Sequence, residues 1–121
     1  MKLTLLILVL VFLGCQQATD TKYVQAESPT TPIGQQIYTT QCASCHKLTE
    51  KYIGPVLKGA RERWPNKELL YSFVKNPQDV IKRNDYAMAL YNEYKQSPMM
   101  PYPGLSNADI NEVLNYCDTA K

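Results

Sequence analysis

One five-residue motif constrains the fold and chemistry of this chain more than any other part of its sequence. Cys42 and Cys45 are separated by two residues and His46 follows directly, which gives the pattern C-x-x-C-H. Side chains three positions apart lie on one face of a helical turn, so both thiols can reach the vinyl groups along one side of a porphyrin. The adjacent imidazole can then bind the iron from the proximal side. The motif therefore predicts one covalently attached haem, with thioether bonds to Cys42 and Cys45 and with His46 as an iron ligand.

Paired cysteines also occur in redox dithiols, zinc sites and disulfides, and each of these alternatives lacks support in the surrounding sequence. A redox dithiol is expected beside a βαβ pattern, which the sequence does not show. A structural zinc ion needs four ligands, but the chain has one histidine and no second C-x-x-C pair. A disulfide between Cys42 and Cys45 would close a small strained loop with no evident purpose. The dithiol and the zinc site remain the alternatives to haem.

The N-terminus predicts export from the cytoplasm. A short positive region precedes an apolar run over residues 3–13. This run is shorter than the about 20 residues that a membrane-spanning helix needs, so residues 1–14 are predicted to be a signal peptide. The run ends at a Gly-Cys pair and resembles a bacterial lipoprotein signal, although Phe12 stands where leucine is usual. We therefore predict a lipid on Cys15, with an ordinary secretory signal as the alternative.

A polar stretch separates this leader from the globular part of the chain. Residues 16–32 contain two prolines and show no apolar periodicity. This composition is typical of a disordered tether. The chain of 121 residues is therefore divided into a signal peptide, a lipidated cysteine with its tether (15–32) and one domain (33–121). The expected location is the periplasmic side of a bacterial membrane, with the lipid as anchor.

The order of motifs over about residues 32–121 resembles that of the small monohaem (class I) c-type cytochromes. Gly34 and Tyr38 precede C-x-x-C-H, a G-P-x-L-x-G stretch follows at 54–59, and a Met-Pro pair stands shortly before an amphipathic last helix. The resemblance implies an all-α class I cytochrome c fold. In that fold the N- and C-terminal helices cross, and shorter helices surround one covalently bound haem c.

The resemblance also implies roles for residues after the motif. The carbonyl of Pro55 would accept the proton of the second ring nitrogen of His46, and Leu57 would pack on the porphyrin. An acceptor at this place orients the imidazole and makes it a better donor to iron. Trp64 and Arg63 would donate to a haem propionate. A partly buried tryptophan and solvated arginines, Arg61 among them, are the alternative.

A proline-stiffened loop precedes the last helix and carries the candidate distal ligand. Class I cytochromes use the methionine of the Met-Pro pair as the second axial ligand, which corresponds to Met100. Met99 is the alternative, because the sequence alone does not distinguish neighbours. Thioether sulfur is a soft ligand that suits haem iron. Met88 is interpreted as core filler that points inward.

Polar caps and apolar periodicity predict the helices of the domain. The first helix begins near Pro32 and runs into the haem motif. Three more are expected between the G-P-x-L-x-G stretch and the methionine loop, and a last helix follows a capping box at Ser106. Their predicted caps and ends are Asn66 to about Lys75, Asn76 to about Arg83 and Asn84 to about Lys95. The apolar face of the last helix comprises Ile110, Val113, Leu114 and Cys117.

These features predict a monohaem electron carrier in an extracytoplasmic respiratory chain, not an enzyme. Two protein ligands leave no open site for a substrate, and no second histidine is present for peroxidase chemistry. A fixed subunit of a membrane redox complex is the alternative. The net charge of +2 is too small to suggest a nucleic-acid-binding protein.

Six basic residues lie between positions 47 and 67 against two acidic ones, which suggests docking on acidic redox partners; scattered solvated charge is the alternative. The basic residues are Lys47, Lys51, Lys58, Arg61, Arg63 and Lys67.

Overall fold

The computed structural model describes residues 31–95 and 97–121. The predicted signal peptide, Cys15 and the tether up to residue 30 lie outside the described residues. Within these two ranges the chain forms α-helices and one π-helical segment, and no strand. The elements are α1 (Ile33–Ile37), the π-helical segment (Tyr38–Cys42), α2 (Ala60–Arg63), α3 (Lys67–Lys75), α4 (Pro77–Arg83), α5 (Asp85–Glu93) and α6 (Asn107–Thr119). The all-α prediction is confirmed.

The first and last helices cross at Gly34. This glycine is buried, and a Cβ at its position would lie 2.0 Å from the carbonyl oxygen of Glu112 on α6. Only a residue without a side chain lets the two backbones approach so closely. One turn later, the rings of Tyr38 and Tyr116 pack with their centroids 5.4 Å apart. The predicted crossing of the terminal helices is therefore present, with glycine and aromatic rings at the contact.

Side-chain caps begin the helices where the sequence places them. The side chain of Asn66 accepts the Leu69 amide of α3 at 2.8 Å, and that of Asn84 accepts the Ala87 amide of α5 at 3.0 Å. Ser106 and Asp109 form a reciprocal capping box at the start of α6. Each cap satisfies amides that a helix cannot bond internally. The predicted helix starts are confirmed.

Two details of the predicted helices are wrong. The helix α5 ends at Glu93 instead of near Lys95, and Lys95 has a left-handed φ of 58° that a continuing helix does not allow. Met88 does not point inward: it is 39% exposed, while Ala87 is fully buried. On this helix Ala87 packs in the core cluster and the neighbouring Met88 faces solvent. The short helix α2 was not predicted at all.

The last helix buries the face that its periodicity predicts. Ile110, Val113, Leu114 and Cys117 are each at most 6% exposed. Ile110 and Leu114 pack with the cluster around Trp64, whereas Val113 and Cys117 pack with the first helix. The helix therefore joins two apolar clusters, and Cys42 of the haem motif packs against the second of them. None of the helices in the described part of the chain is long and apolar enough to cross a membrane.

Candidate haem site

A π-helical segment ends at Cys42, the first cysteine of the motif. The amide of Ala43 donates to the carbonyl of Tyr38, five residues earlier, at 2.9 Å. The amides of Cys45 and His46 then both donate to the carbonyl of Cys42, at 3.1 and 2.9 Å, which closes a tight turn. The Tyr38 hydroxyl donates to the carbonyl of His46 at 3.1 Å and ties this turn to the helix before it. The motif is thus held in one conformation by backbone bonds and one phenol.

The two thiols of the motif differ in environment. Cys42 is half-buried and Cys45 is exposed, and neither forms a disulfide. Burial first, and the neighbouring Cys45 second, raise the pKa of Cys42 to about 11. Cys117 is fully buried, and burial is the main reason that its pKa rises to about 12. Cys117 is therefore a protonated apolar side chain of the core at neutral pH.

The imidazole of His46 is buried, oriented and neutral. Its residue is 8% exposed, and its Nδ1 lies 2.8 Å from the carbonyl oxygen of Pro55. A carbonyl can only accept, so Nδ1 carries the proton and Nε2 keeps its lone pair for a metal. Burial lowers the pKa of His46 below its ordinary value, although the bond to Pro55 acts in the opposite direction. The side chain is thus held in the form that binds iron.

The sequence predicted only a turn at Gly54, and the structure shows a second role for this residue in the site. A Cβ at Gly54 would lie 2.5 Å from Cε1 and 2.8 Å from Nδ1 of His46. The Gly54 amide also donates to the carbonyl of Cys45 at 2.8 Å. Glycine therefore lets the loop lie flat against the imidazole and carry Pro55 to its second nitrogen. A glycine directly before this proline was the available signal.

A largely apolar cavity lies in front of the motif. Cys42, Cys45 and His46 line it on one side, and Leu57 contributes to its wall. Met99 and Met100 also line it. Met99 is half-buried, whereas Met100 is 68% exposed. The structure thus brings both candidate distal ligands to the cavity that His46 also lines.

Trp64 and Arg63 lie together on the cavity wall. Trp64 is buried and packs between Phe73, at 4.8 Å between ring centroids, and Tyr86, at 5.1 Å. The Arg63 guanidinium donates to the carbonyls of Lys58 and Val56. These two bonds use two of its five N–H donors and hold it against the loop. Both residues therefore line the cavity that a macrocycle would occupy.

Arg61, in contrast, binds the last helix and lies off the cavity wall. Its guanidinium is 2.6 Å from the carboxylate of Asp118 and donates to the side-chain oxygens of Asn111 at 2.9 Å and Asn115 at 2.8 Å. The two charged side chains are 27% and 28% exposed. Arg61 is thus fully engaged in fastening α2 to α6, and the sequence showed no sign of this network.

The residues of the site fit a haem c. Two unpaired thiols at the cavity wall can form thioethers, a neutral imidazole is aimed by a backbone acceptor, and two soft thioether sulfurs stand on the same cavity. Apolar walls suit a porphyrin. No group of three or more His, Cys, Asp or Glu side chains within residues 31–95 and 97–121 lies close enough to hold a metal ion, so this part of the chain offers no ligand set for the zinc alternative.

Comparisons with known proteins agree with this fit. The chain is similar to the solved structure of cytochrome c from Rhodothermus marinus, with 29% identity, a TM-score of 0.60, and coverage of 74% of this chain and 77% of that one. It is also similar to an engineered cytochrome c from Rhodothermus marinus bound to a carbene intermediate, with 29% identity, a TM-score of 0.56, and coverage of 71% and 74%. A comparison with curated proteins finds no match.

A family model gives the assignment. The model for cytochrome c matches residues 33–121, which is most of the chain and the whole of the predicted domain. Membership implies haem-based electron transfer and a covalently bound haem c, in agreement with the spacing of Cys42 and Cys45. On the motif, the fold and this match, the chain belongs to the cytochrome c family.

Proposed function

We propose that this protein is a one-electron carrier of an extracytoplasmic respiratory chain, with His46 and Met100 as the two axial ligands of one haem c. The observation that carries the proposal is the buried imidazole of His46, whose Nδ1 is fixed on the Pro55 carbonyl beside a cavity lined by both motif thiols and two methionines. When bound, haem c supplies a single-electron Fe(II)/Fe(III) couple. Ligation from both sides leaves no position for a substrate, which favours a carrier over an enzyme.

The protein's own residues would set the potential of that couple. The Pro55 carbonyl increases the basicity of His46 by accepting its Nδ1 proton. The apolar wall disfavours the additional positive charge of the oxidised state, and a histidine–methionine ligand pair raises the reduction potential. Neither effect needs a proton transfer, so no general acid or base is expected among the site residues.

A visible spectrum tests the cofactor and the distal ligand together. The chain is matured in a bacterial host that has haem-attachment machinery and is recorded in both oxidation states. We expect a pigment that survives denaturing extraction, and a far-red band of the oxidised protein that reports the sulfur–iron bond. Met100→Ala should remove this band and Met99→Ala should keep it. The opposite pattern would move the ligand to Met99, and a colourless product would contradict the haem assignment.

Partner docking is proposed to use the basic stretch near the motif. Three of its six bases pair with acids: Lys51 with Glu93, Arg61 with Asp118 and Lys67 with Glu68. The other three, Lys47, Lys58 and Arg63, donate to backbone carbonyls instead. Their charge is therefore not cancelled by those contacts and would attract an acidic redox partner.

The ionic-strength dependence of electron transfer tests this docking surface. With an acidic partner, the rate should fall as salt rises, because salt screens exposed charges. Lys47→Gln should weaken this dependence, whereas Lys82→Gln, which removes the same charge from the exposed end of α4, should not. A rate that does not change with salt would contradict the docking proposal and leave the carrier role intact.

The membrane anchor is proposed from the sequence alone. Cytochrome c domains are typically extracytoplasmic, which is compatible with residues 1–14 as a signal peptide and Cys15 as the lipidated residue. Cys15→Ala should move the protein from the membrane fraction to the soluble periplasmic fraction without changing its visible spectrum. Retention of the variant in the membrane would contradict the anchor. Copurification of stoichiometric partners in mild detergent would instead favour a fixed subunit of a membrane complex.

A further inference from the structure

The loop that carries the methionines makes few hydrogen bonds to the rest of the domain. Among the described residues, the hydrogen bonds that join 97–105 to distant elements both come from Tyr102. Its hydroxyl donates to the carbonyl of Gln41 at 2.6 Å, and its amide donates to the carbonyl of Val74 on α3 at 3.0 Å. The prolines on either side of the methionines limit local freedom, but they donate no backbone hydrogen bonds.

The Tyr102 hydroxyl donates to a carbonyl near the end of the helix before the motif. Gln41 lies in the π-helical segment, one residue before its end. The amides four and five residues later, those of Cys45 and His46, both donate to Cys42 instead. A half-buried carbonyl without a partner costs free energy. The phenol of Tyr102 supplies a partner, so the end of this helix becomes the attachment point of the loop.

We propose that Tyr102 is a positioning residue for the distal ligand: its phenol fastens the methionine loop to the turn that carries Cys42, Cys45 and His46. This rests on the proposed methionine ligation. Met100 is two residues away, and two residues of extended chain span at most about 7 Å, so a fixed Tyr102 confines the sulfur to a small volume. The loop of the distal ligand is then attached to the backbone that also carries the proximal ligand, although the two ligands are far apart in sequence.

The physical reason for such a fastening is the weakness of thioether ligation. Among the described residues, no hydrogen bond other than those of Tyr102 joins the loop of Met100 to a distant element. A loop held at Tyr102 loses less conformational entropy when the sulfur binds than a loop free along its whole length. Releasing the phenol therefore favours states in which the sulfur is dissociated and the distal position is accessible to another ligand.

The experiment compares Tyr102→Phe with Tyr71→Phe in the haem-loaded full chain. Tyr71 is the matched control because its hydroxyl makes a long bond of 3.4 Å to Asn111, outside the loop. The readouts are the far-red band of the oxidised protein, its affinity for added imidazole, and hydrogen exchange of the Tyr102 amide. We expect Tyr102→Phe to bind imidazole about three- to tenfold more tightly, to lose part of the band and to exchange that amide faster, with Tyr71→Phe like the wild type.

Three results would overturn the inference. If Tyr102→Phe matched the wild type in imidazole affinity and in amide exchange, the phenol would not hold the loop. If Tyr71→Phe changed imidazole affinity equally, the effect would be general destabilisation. If the double variant Met99→Ala/Met100→Ala kept the far-red band, methionine ligation itself would be wrong. Loss of the band in Met100→Ala together with an unchanged Tyr102→Phe would reject the positioning role alone and leave the carrier proposal standing.

Discussion

Replacing Gly34 with alanine tests the helix crossing on which the fold depends. The added Cβ would lie 2.0 Å from the carbonyl oxygen of Glu112 and 3.1 Å from the amide nitrogen of Val113. Close carbon–oxygen contacts are normally no shorter than about 3.3 Å, so the two helices would have to separate by about 1 Å. Such overpacking costs about 1–3 kcal/mol and occasionally more, and backbone atoms cannot rotate away. Alanine recovers up to about 1 kcal/mol of helix propensity, so we expect a net loss of about 1–2 kcal/mol.

Thermal unfolding of the haem-loaded protein, followed by circular dichroism, measures this loss. A domain of this size loses about 4–8 °C in Tm per kcal/mol, so Gly34→Ala should melt about 4–16 °C lower. Gly104→Ala is the matched control, because nothing lies within 4 Å of the Cβ that it would add. The control should be neutral or slightly stabilising, since it mainly restricts the unfolded chain. A Tm for Gly34→Ala within about 2 °C of the wild type would refute the close crossing.

Three further changes test the site and the last helix. Gly54→Ala should displace the imidazole of His46, because its ring atoms lie 2.5–3.0 Å from the added Cβ. We expect the free energy of unfolding to fall by about 1–3 kcal/mol. Denaturant titration followed by haem absorbance measures this change. Tyr38→Phe leaves the buried His46 carbonyl without its donor and should cost about 1–3 kcal/mol by the same titration. The bonds from Ser106 lower the pKa of Asp109 below its ordinary value, so this carboxylate stabilises the fold above its unfolded pKa and ceases to do so as the pH falls through its folded pKa. Unfolding midpoints at about pH 5 and pH 3 should therefore differ more in the wild type than in Asp109→Asn, and equal differences would contradict the capping box.

The helices could be predicted from the sequence because their signals are local. Asn66, Asn84 and Ser106 each cap an amide three residues later, and this relation is visible as a spacing in the sequence. Which side chains of a helix face the core was harder to predict. Met88 and Ala87 are neighbours on α5, and only the exact phase of the helix decides which of them is buried. A one-residue error in that phase turns a methionine from the core to the surface.

Apart from the bond of His46 to the Pro55 carbonyl, which the family resemblance implied, the supporting contacts of the site could not be predicted, because their acceptors are backbone carbonyls or distant side chains. The π-helical segment has no sequence signature here, and the carbonyl of Gln41 near its end meets the Tyr102 hydroxyl across 61 positions. The Arg61 network joins α2 to Asp118 across 57 positions. Such contacts depend on how α1 and α6 cross, and the geometry of that crossing is known only from the structure.

The two sides of the candidate haem site are held with unequal stiffness. On the proximal side, His46 is 8% exposed, Gly54 lies against its ring and Pro55 accepts its proton. On the distal side, the methionine loop is fastened by the phenol and the amide of Tyr102. With the proposed ligands, a stiff His46 would hold a bound iron in one position, whereas a weakly held sulfur could exchange. The protein should therefore lose its distal ligand long before its proximal one under heat or denaturant, because opening the loop breaks few bonds and opening the motif turn breaks many.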